Sequence, residues 1–172
     1  GARALHRRHD AAGRVSRVHV QLSGGCHCGN LRLQVGLTGE PGQYSPRACD
    51  CDFCRKHGAA WLSDPKGSLR ISVRNARELG KYAQGSGTAE LLLCRHCGVL
   101  VGACLTGAGG RLYGAVNAQA VECATPFAAA QSVSPQHLSA DEKVQRWQQL
   151  WFSDVTIIAG DAGGVGVGAT RA

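Results

Sequence analysis

The chain has 172 residues and a net charge of +7, with 24 glycines, nine cysteines and only 5% aromatic residues. This length favours one domain, and a charged fraction of 18% argues against a highly charged disordered chain. The longest apolar runs fall far short of the roughly 18 residues of a membrane span, and the Arg-rich N-terminus has no apolar signal segment.

The N-terminal residues are strongly basic. Residues 1–20 carry five Arg and one Asp, and we expect residues 1–17 to form a flexible basic arm. Such an arm can contact phosphates without sequence preference; a solvated tail is the simpler interpretation, and Arg-rich, acid-poor stretches are also typical of organelle transit segments. The sequence then predicts a single domain over residues 18–158 and a mobile, glycine-rich tail over 159–172.

Alternating apolar and polar residues predict most of the strands. The predicted strands cover residues 18–22, 31–35, 69–73, 90–93, 99–106 and 111–117. The last two flank a glycine-rich turn and predict a hairpin. The segment Ser139-Ala140-Asp141-Glu142 is a capping box and begins a predicted helix with one apolar face, made by Val144, Trp147, Leu150 and Trp151. Residues 155–158 form a last strand or a docked segment, so the predicted fold is mainly β with a C-terminal helix.

The cysteines fall into short clusters. Seven of the nine form C-x-C at 26 and 28, C-x-C-x-x-C at 49, 51 and 54, and C-x-x-C at 94 and 97. Several sulfurs on one short loop suit a metal better than separate disulfides, and this predicts a reducing, cytoplasmic location. Cys104 and Cys123 stand alone and are expected to be free cysteines, a residue type that is often buried.

The first and last clusters are alike, because a glycine follows each pair and lets the loop fold back on itself. Together they supply four thiolates for a closed tetrahedral zinc site: Cys26, Cys28, Cys94 and Cys97. Structural zinc contributes on the order of 10–16 kcal/mol in finger peptides, and whole domains are stable by only ~5–15 kcal/mol. We therefore expect the domain to unfold without this site.

The middle cluster offers three thiolates, Cys49, Cys51 and Cys54. Three protein ligands with an open fourth position are typical of a catalytic zinc. Two alternatives remain open: the cluster is empty and reduced, or the fourth position is filled by His57, Cys104 or Cys123. His27 and His96 lie between zinc ligands and are expected to face solvent.

Three segments of the sequence carry a family resemblance: GGCHCGNLRLQV, CDCDFCRKHGAAW and LLLCRHCGVLV. They resemble the glutathione-dependent formaldehyde-activating enzyme family, which also includes centromere protein V, over roughly residues 22–123. The resemblance implies a β-tent fold held together by zinc. It also implies a structural zinc on Cys26, Cys28, Cys94 and Cys97, and a catalytic zinc on Cys49, Cys51 and Cys54.

The function that this resemblance implies is a carbon–sulfur lyase-type reaction that joins a small thiol, expected to be glutathione, to an aldehyde, expected to be formaldehyde. We expect two zinc ions per chain and no membrane partner. A non-enzymatic zinc module is the alternative; it would bind glutathione, a protein or, through the basic arm, a nucleic acid, although the core lacks an aromatic platform for single strands. A third interpretation is a diverged family member with another thiol or aldehyde.

Overall fold

The computed structural model describes residues 18–160. The predicted basic arm, 1–17, and residues 161–172 of the predicted tail lie outside this range. The described chain forms two helices, α1 (Asp52–Lys56) and α2 (Ala140–Leu150), and twelve strands: β1 (Val20–Gly25), β2 (Leu31–Leu37), β3 (Arg47–Cys49), β4 (Ala60–Leu62), β5 (Ser68–Val73), β6 (Leu79–Ala83), β7 (Glu90–Cys94), β8 (Leu100–Thr106), β9 (Leu112–Asn117), β10 (Val121–Glu122), β11 (Gln131–Val133) and β12 (Asp154–Ala159). The predicted fold class, mainly β with a C-terminal helix, is confirmed.

A five-stranded sheet has the order β10-β1-β2-β5-β12. Its central strand β2 shows why an alternating sequence forms a strand: Leu31, Leu33 and Val35 are buried, whereas Arg32 and Gln34 are exposed. The C-terminal strand β12 runs parallel to β5 at one edge of the sheet. The residues predicted to be a last strand or a docked segment are therefore a strand, which ends at Ala159.

The second sheet has seven strands in the order β11-β3-β4-β9-β8-β7-β6 and is covered on both faces. Successive residues of β7 show this, because Leu92 packs toward the five-stranded sheet and Leu91 packs toward α2. Residues 100–105 of β8 are all buried, as expected for a strand with a layer on each side. The candidate site lies on the α2 side of this sheet.

Helix α2 begins at the predicted capping box. The backbone N–H of Ser139 donates to Glu142 Oε2 at 2.7 Å, and the N–H of Glu142 donates to Ser139 Oγ at 3.3 Å. The predicted apolar face is confirmed, since Val144, Trp147 and Leu150 pack against the outer face of the seven-stranded sheet. Within residues 18–160, no helix combines the length and the apolar character that crossing a membrane requires.

The six predicted strands are all present, and the elements that were not predicted are short or irregular. The sequence gives little signal for two- and three-residue strands such as β10, β3, β4 and β11, because they are too short for a period to show. Strand β6 reads Leu-Gly-Lys-Tyr-Ala and does not alternate. Helix α1 has only five residues and lies within the middle cysteine cluster.

The C-terminal segment is part of the core, and this can be tested at Phe152. Its side chain is fully buried, and its backbone pairs with Gly114 through N···O distances of 3.1 and 2.8 Å. We expect Phe152→Ala to lower the free energy of unfolding by about 3–5 kcal/mol, because it leaves a cavity where a ring was packed. The measurement is chemical denaturation of the metal-loaded protein.

The matched control is Ile158→Thr on the following strand. Ile158 is 57% exposed, and threonine keeps the β-branched shape that suits a strand. We expect a change within about 0.5 kcal/mol. Equal effects of the two substitutions would contradict the placement of Phe152 in the core.

Candidate functional site

Four cysteines, two from each sheet, come together in one group. Cys26 and Cys28 follow β1, Cys94 is the last residue of β7 and Cys97 follows it, yet their four sulfurs all lie within 4.8 Å of one another. Cys28 Sγ is 3.6 Å from Cys26 Sγ and 3.5 Å from Cys94 Sγ. Four sulfurs at ~2.3 Å from a zinc ion stand about 3.8 Å apart in a tetrahedron, so this group fits a zinc site.

In both loops, a glycine with a positive φ directly follows the second cysteine. Gly29 has φ +76° and Gly98 has φ +77°, a conformation that side chains of L-residues rarely adopt. Each turn is closed by a backbone hydrogen bond: Gly29 N–H to the Cys26 carbonyl at 3.1 Å, and Gly98 N–H to the Cys94 carbonyl at 2.8 Å. The glycine role that the sequence predicted is thus present in both loops.

Backbone N–H groups point at the sulfurs of this group. Leu31 N–H donates to Cys26 Sγ at 3.2 Å. Burial opposes ionisation of the Cys97 thiol, but N–H donors from Cys28 and Val99 bring its pKa down to about 6. Such donors stabilise the thiolate, which is the form that binds metal. His27 and His96, which lie between the cysteines, are exposed as expected.

The middle cluster also comes together as one group. Cys49 ends β3, Cys51 is the N-cap of α1 and Cys54 lies within α1, and their three sulfurs lie within 4.8 Å of one another. The Cys54 N–H donates to Cys51 Sγ at 3.5 Å. Hydrogen bonding from the Cys54 thiol lowers the pKa of Cys49 to about 6, and the same bond raises the pKa of Cys54. A cation would replace the shared proton, because metal ions compete with protons for thiolates.

The side chains considered as a fourth ligand lie elsewhere. The His57 ring packs on Phe53 with centroids 4.5 Å apart, and Cys104 Sγ donates to Glu90 Oε2 at 3.7 Å. Cys123 Sγ donates to the Thr125 carbonyl at 2.8 Å. Across residues 18–160, no other His, Cys, Asp or Glu joins the three sulfurs of the middle cluster.

A cavity of about 610 Å³ adjoins this three-cysteine group, a size within the range of small-molecule sites. Cys49, Cys51 and Cys54 line it, together with residues of α2 and of the β6–β7 hairpin. All three tryptophans of the chain also line it: Trp61, Trp147 and Trp151. The rings of Trp147 and Trp151 stack with centroids 5.0 Å apart.

One wall of the cavity is cationic. Arg47, Lys143 and Arg146 line it, and none of the three has an ion-pair partner among the described residues. Burial lowers the pKa of Arg47 to about 10, with a further contribution from the like charge of Arg146. The Arg47 guanidinium therefore stays charged at neutral pH.

The β6–β7 hairpin forms another wall. The Gln84 side-chain amide donates to Cys51 Sγ at 3.8 Å. The Tyr82 ring stacks on Phe53 of α1 with centroids 5.1 Å apart, which holds the hairpin over the cysteine group. Sequence reasoning missed these residues, because a contact between residues 84 and 51 leaves no local pattern.

Sequence reasoning also missed the role of the C-terminal helix and of Arg47. The only signal in the sequence was the combination of cations and tryptophans between residues 143 and 151. This combination predicts an amphipathic helix, and nothing in the sequence connects its basic residues to the cysteines.

Residues 21–123, more than half of the chain, match the family described as glutathione-dependent formaldehyde-activating enzyme. The chain belongs to this family. The match includes all seven clustered cysteines and ends before β11, α2 and β12.

A crystal structure of a Rhodobacter sphaeroides protein is also similar. The two sequences are 35% identical over 60% of this chain and 91% of that chain, with a TM-score of 0.44.

The need for a glycine with a positive φ after the second cysteine can be tested at Gly98. A Cβ there would meet no atom within 4 Å, so Gly98→Ala tests the backbone conformation alone. We expect the free energy of unfolding to fall by about 1–2 kcal/mol. The midpoint of thermal unfolding should fall by roughly 2–4 °C for each kcal/mol.

The control is Gly42→Ala. Gly42 has no positive φ, and a Cβ there would meet only the Pro126 carbonyl at 3.9 Å. Its midpoint should stay close to that of the unchanged protein. A Gly98→Ala protein as stable as Gly42→Ala would show that the loop does not depend on this conformation.

Proposed function

We propose that this protein adds a small thiol, glutathione, to an aldehyde, formaldehyde, at a zinc ion held by Cys49, Cys51 and Cys54. The observation that carries the proposal is a group of three convergent sulfurs beside a cavity, without a fourth protein ligand among residues 18–160. Family membership supports the choice of thiol and aldehyde. The reaction is of the carbon–sulfur lyase type, run in the direction of bond formation.

The donor sets of both cysteine groups fit zinc. Thiolates are soft ligands that favour zinc over hard divalent ions such as Mg²⁺ and Ca²⁺, and three protein ligands with one open position are typical of catalytic zinc. The four-cysteine group would hold a second, structural zinc. We therefore propose two zinc ions per chain.

The reaction has a simple balance of atoms. The thiol sulfur forms a bond to the carbonyl carbon, the carbon–oxygen π bond breaks, and the proton lost by sulfur ends on the oxygen as a hydroxyl. A zinc ion bound at the three cysteines would favour the thiolate form of the incoming thiol. The product with formaldehyde and glutathione is S-(hydroxymethyl)glutathione.

Ionisation alone contributes little to the rate. A thiol of pKa ~8.5 is a few per cent thiolate at neutral pH, so full ionisation gains roughly 30-fold. A pKa lowered by two units costs about tenfold in nucleophilicity at a Brønsted slope of ~0.4–0.5. Most of the acceleration must come from holding the two reactants together, since effective molarities reach about 10⁵–10⁸ M.

The residues that line the cavity are suited to binding both reactants. Trp61 and Trp147 provide apolar surface that excludes water from the reacting groups. The Gln84 amide donates to Cys51 Sγ and moderates the negative charge of the cysteine group. Arg47 and Arg146 offer positive charge to an anionic thiol.

A reducing compartment suits this chemistry. All nine cysteines are free in the structure, and cytosolic thiol systems keep cysteines reduced. We propose a cytoplasmic location on this ground.

The three-cysteine site can be tested with Cys51→Ser. Serine is a good N-cap, so α1 should persist while one metal ligand becomes much weaker. We expect zinc to fall from about two to about one per chain, with loss of glutathione binding and of catalysed adduct formation. Metal analysis, calorimetry and NMR exchange between glutathione and its formaldehyde adduct measure these three quantities.

Cys123→Ser is the matched control, because Cys123 lies apart from both cysteine groups and its thiol donates to the Thr125 carbonyl. It should keep both zinc ions and full glutathione binding. Unchanged glutathione affinity in Cys51→Ser would mean that the thiol does not bind at the three-cysteine group.

The four-cysteine site can be tested with Cys94→Ser. Cys94 is fully buried, and loss of its thiolate removes a metal whose binding energy rivals the stability of a domain. We expect insoluble or unfolded protein, measured by solubility and circular dichroism. A folded, soluble product would refute a structural role for this group.

A further inference from the structure

The cationic wall of the cavity lies on the same side of the sheet as the cysteine group. Arg47 and Cys49 are two residues apart on β3, and side chains at this spacing point to the same face of a strand. Their Cα atoms are therefore about 6.6 Å apart along the strand. Both residues line the cavity, so a fixed positive charge lies beside the three-cysteine group.

Helix α2 brings two more cations to this wall. Lys143 and Arg146 are three residues apart, which places them on one face of the helix. Arg146 is close enough to Arg47 for their like charges to interact unfavourably. The fold thus places two guanidinium groups in the lining of one cavity.

No acidic side chain among residues 18–160 neutralises this wall. Asp52 is the acidic residue of the cavity lining, and it pairs with Lys56 at 2.8 Å. The Arg47 guanidinium donates instead to the neutral Ser63 hydroxyl, which in turn donates to the Leu150 carbonyl at the end of α2. These contacts fix the position of Arg47 and leave its charge available.

We propose that Arg47 and Arg146 form a carboxylate subsite that makes the protein selective for thiols carrying a carboxylate. The inference rests on the proposed thiol addition at the three cysteines and adds to it a second point of attachment. Guanidinium groups bind carboxylates through paired hydrogen bonds. A peptide thiol with free carboxylates can bind both the three-cysteine site and the arginine subsite, whereas a neutral thiol can bind only the three-cysteine site.

The subsite depends on a segment outside the region of family similarity. The match ends at residue 123, and Arg146 lies on α2. Beside the cysteine group, Asp50 accepts hydrogen bonds from the Ser134 hydroxyl and from Gln136 Nε2. These bonds tie the segment that leads into α2 to the end of β3. The C-terminal segment is therefore placed to decide which thiols the shared cysteine site accepts.

The test compares three ligands on the zinc-loaded full chain by calorimetry: glutathione, its diethyl ester and S-methylglutathione. We expect glutathione to bind at least about tenfold more tightly than the ester, as one charged pair contributes this much or more. Arg146→Gln should weaken the binding of glutathione about tenfold and change the affinity for the ester by less than about twofold. S-Methylglutathione, which has no thiol, should bind weakly and also lose affinity in Arg146→Gln.

Arg77→Gln is the matched control, since it removes the same charge from an exposed position away from the cavity. It should leave all three affinities unchanged. Equal affinities for glutathione and its ester, both unaffected by Arg146→Gln, would overturn the subsite and leave thiol addition at the cysteines in place. A fourth ligand, 4′-phosphopantetheine, tests the carboxylate assignment: binding tighter than that of glutathione would also overturn it.

A different result would refute the proposed function without refuting the subsite. If S-methylglutathione binds in an Arg146-dependent way but the protein does not accelerate adduct formation, the subsite stands and the proposed reaction falls.

Discussion

The contact between two cysteine loops, one from each sheet, fixes how the sheets are arranged. The first loop connects β1 and β2 of the five-stranded sheet, and the second connects β7 and β8 of the seven-stranded sheet. Residues some 70 positions apart in the chain thereby share one point. In a core with few aromatic side chains, such a point adds to the packing that aromatic residues supply in other domains.

The seven-stranded sheet separates the four-cysteine group from the three-cysteine group. One of its faces packs on the other sheet and includes Cys94, and the opposite face carries Cys49 and Cys54 below α2. The two cysteine groups therefore lie in different apolar clusters. A substitution can therefore disturb the three-cysteine group while the cluster between the sheets stays packed.

The sequence was informative wherever a period or a fixed spacing was long enough to read. The alternation of β2 and β5, the capping box at Ser139 and the glycines after Cys28 and Cys97 all predicted features that are present. The grouping of the seven cysteines into four and three was also predicted, and their sulfurs lie together in these two sets. Each of these signals is local or repeats over several residues.

Contacts between single residues that are far apart in the chain could not be predicted from the sequence. Arg47 lies in a strand that is too short to be predicted from the sequence, and the parallel pairing of β11 with β3 and the course of α2 place it near Arg146. The same holds for Gln84, whose amide reaches Cys51 from a hairpin tip. Such residues become recognisable as part of a site only when the connections between elements are known.

The confinement of every tryptophan to the cavity lining gives the molecule a built-in optical reporter. Indole emission responds to polarity and to nearby metal, and no tryptophan elsewhere adds a constant background. Entry of a solute, or loading of an absorbing ion such as Co²⁺, can therefore be followed in the unlabelled protein by its ultraviolet emission alone.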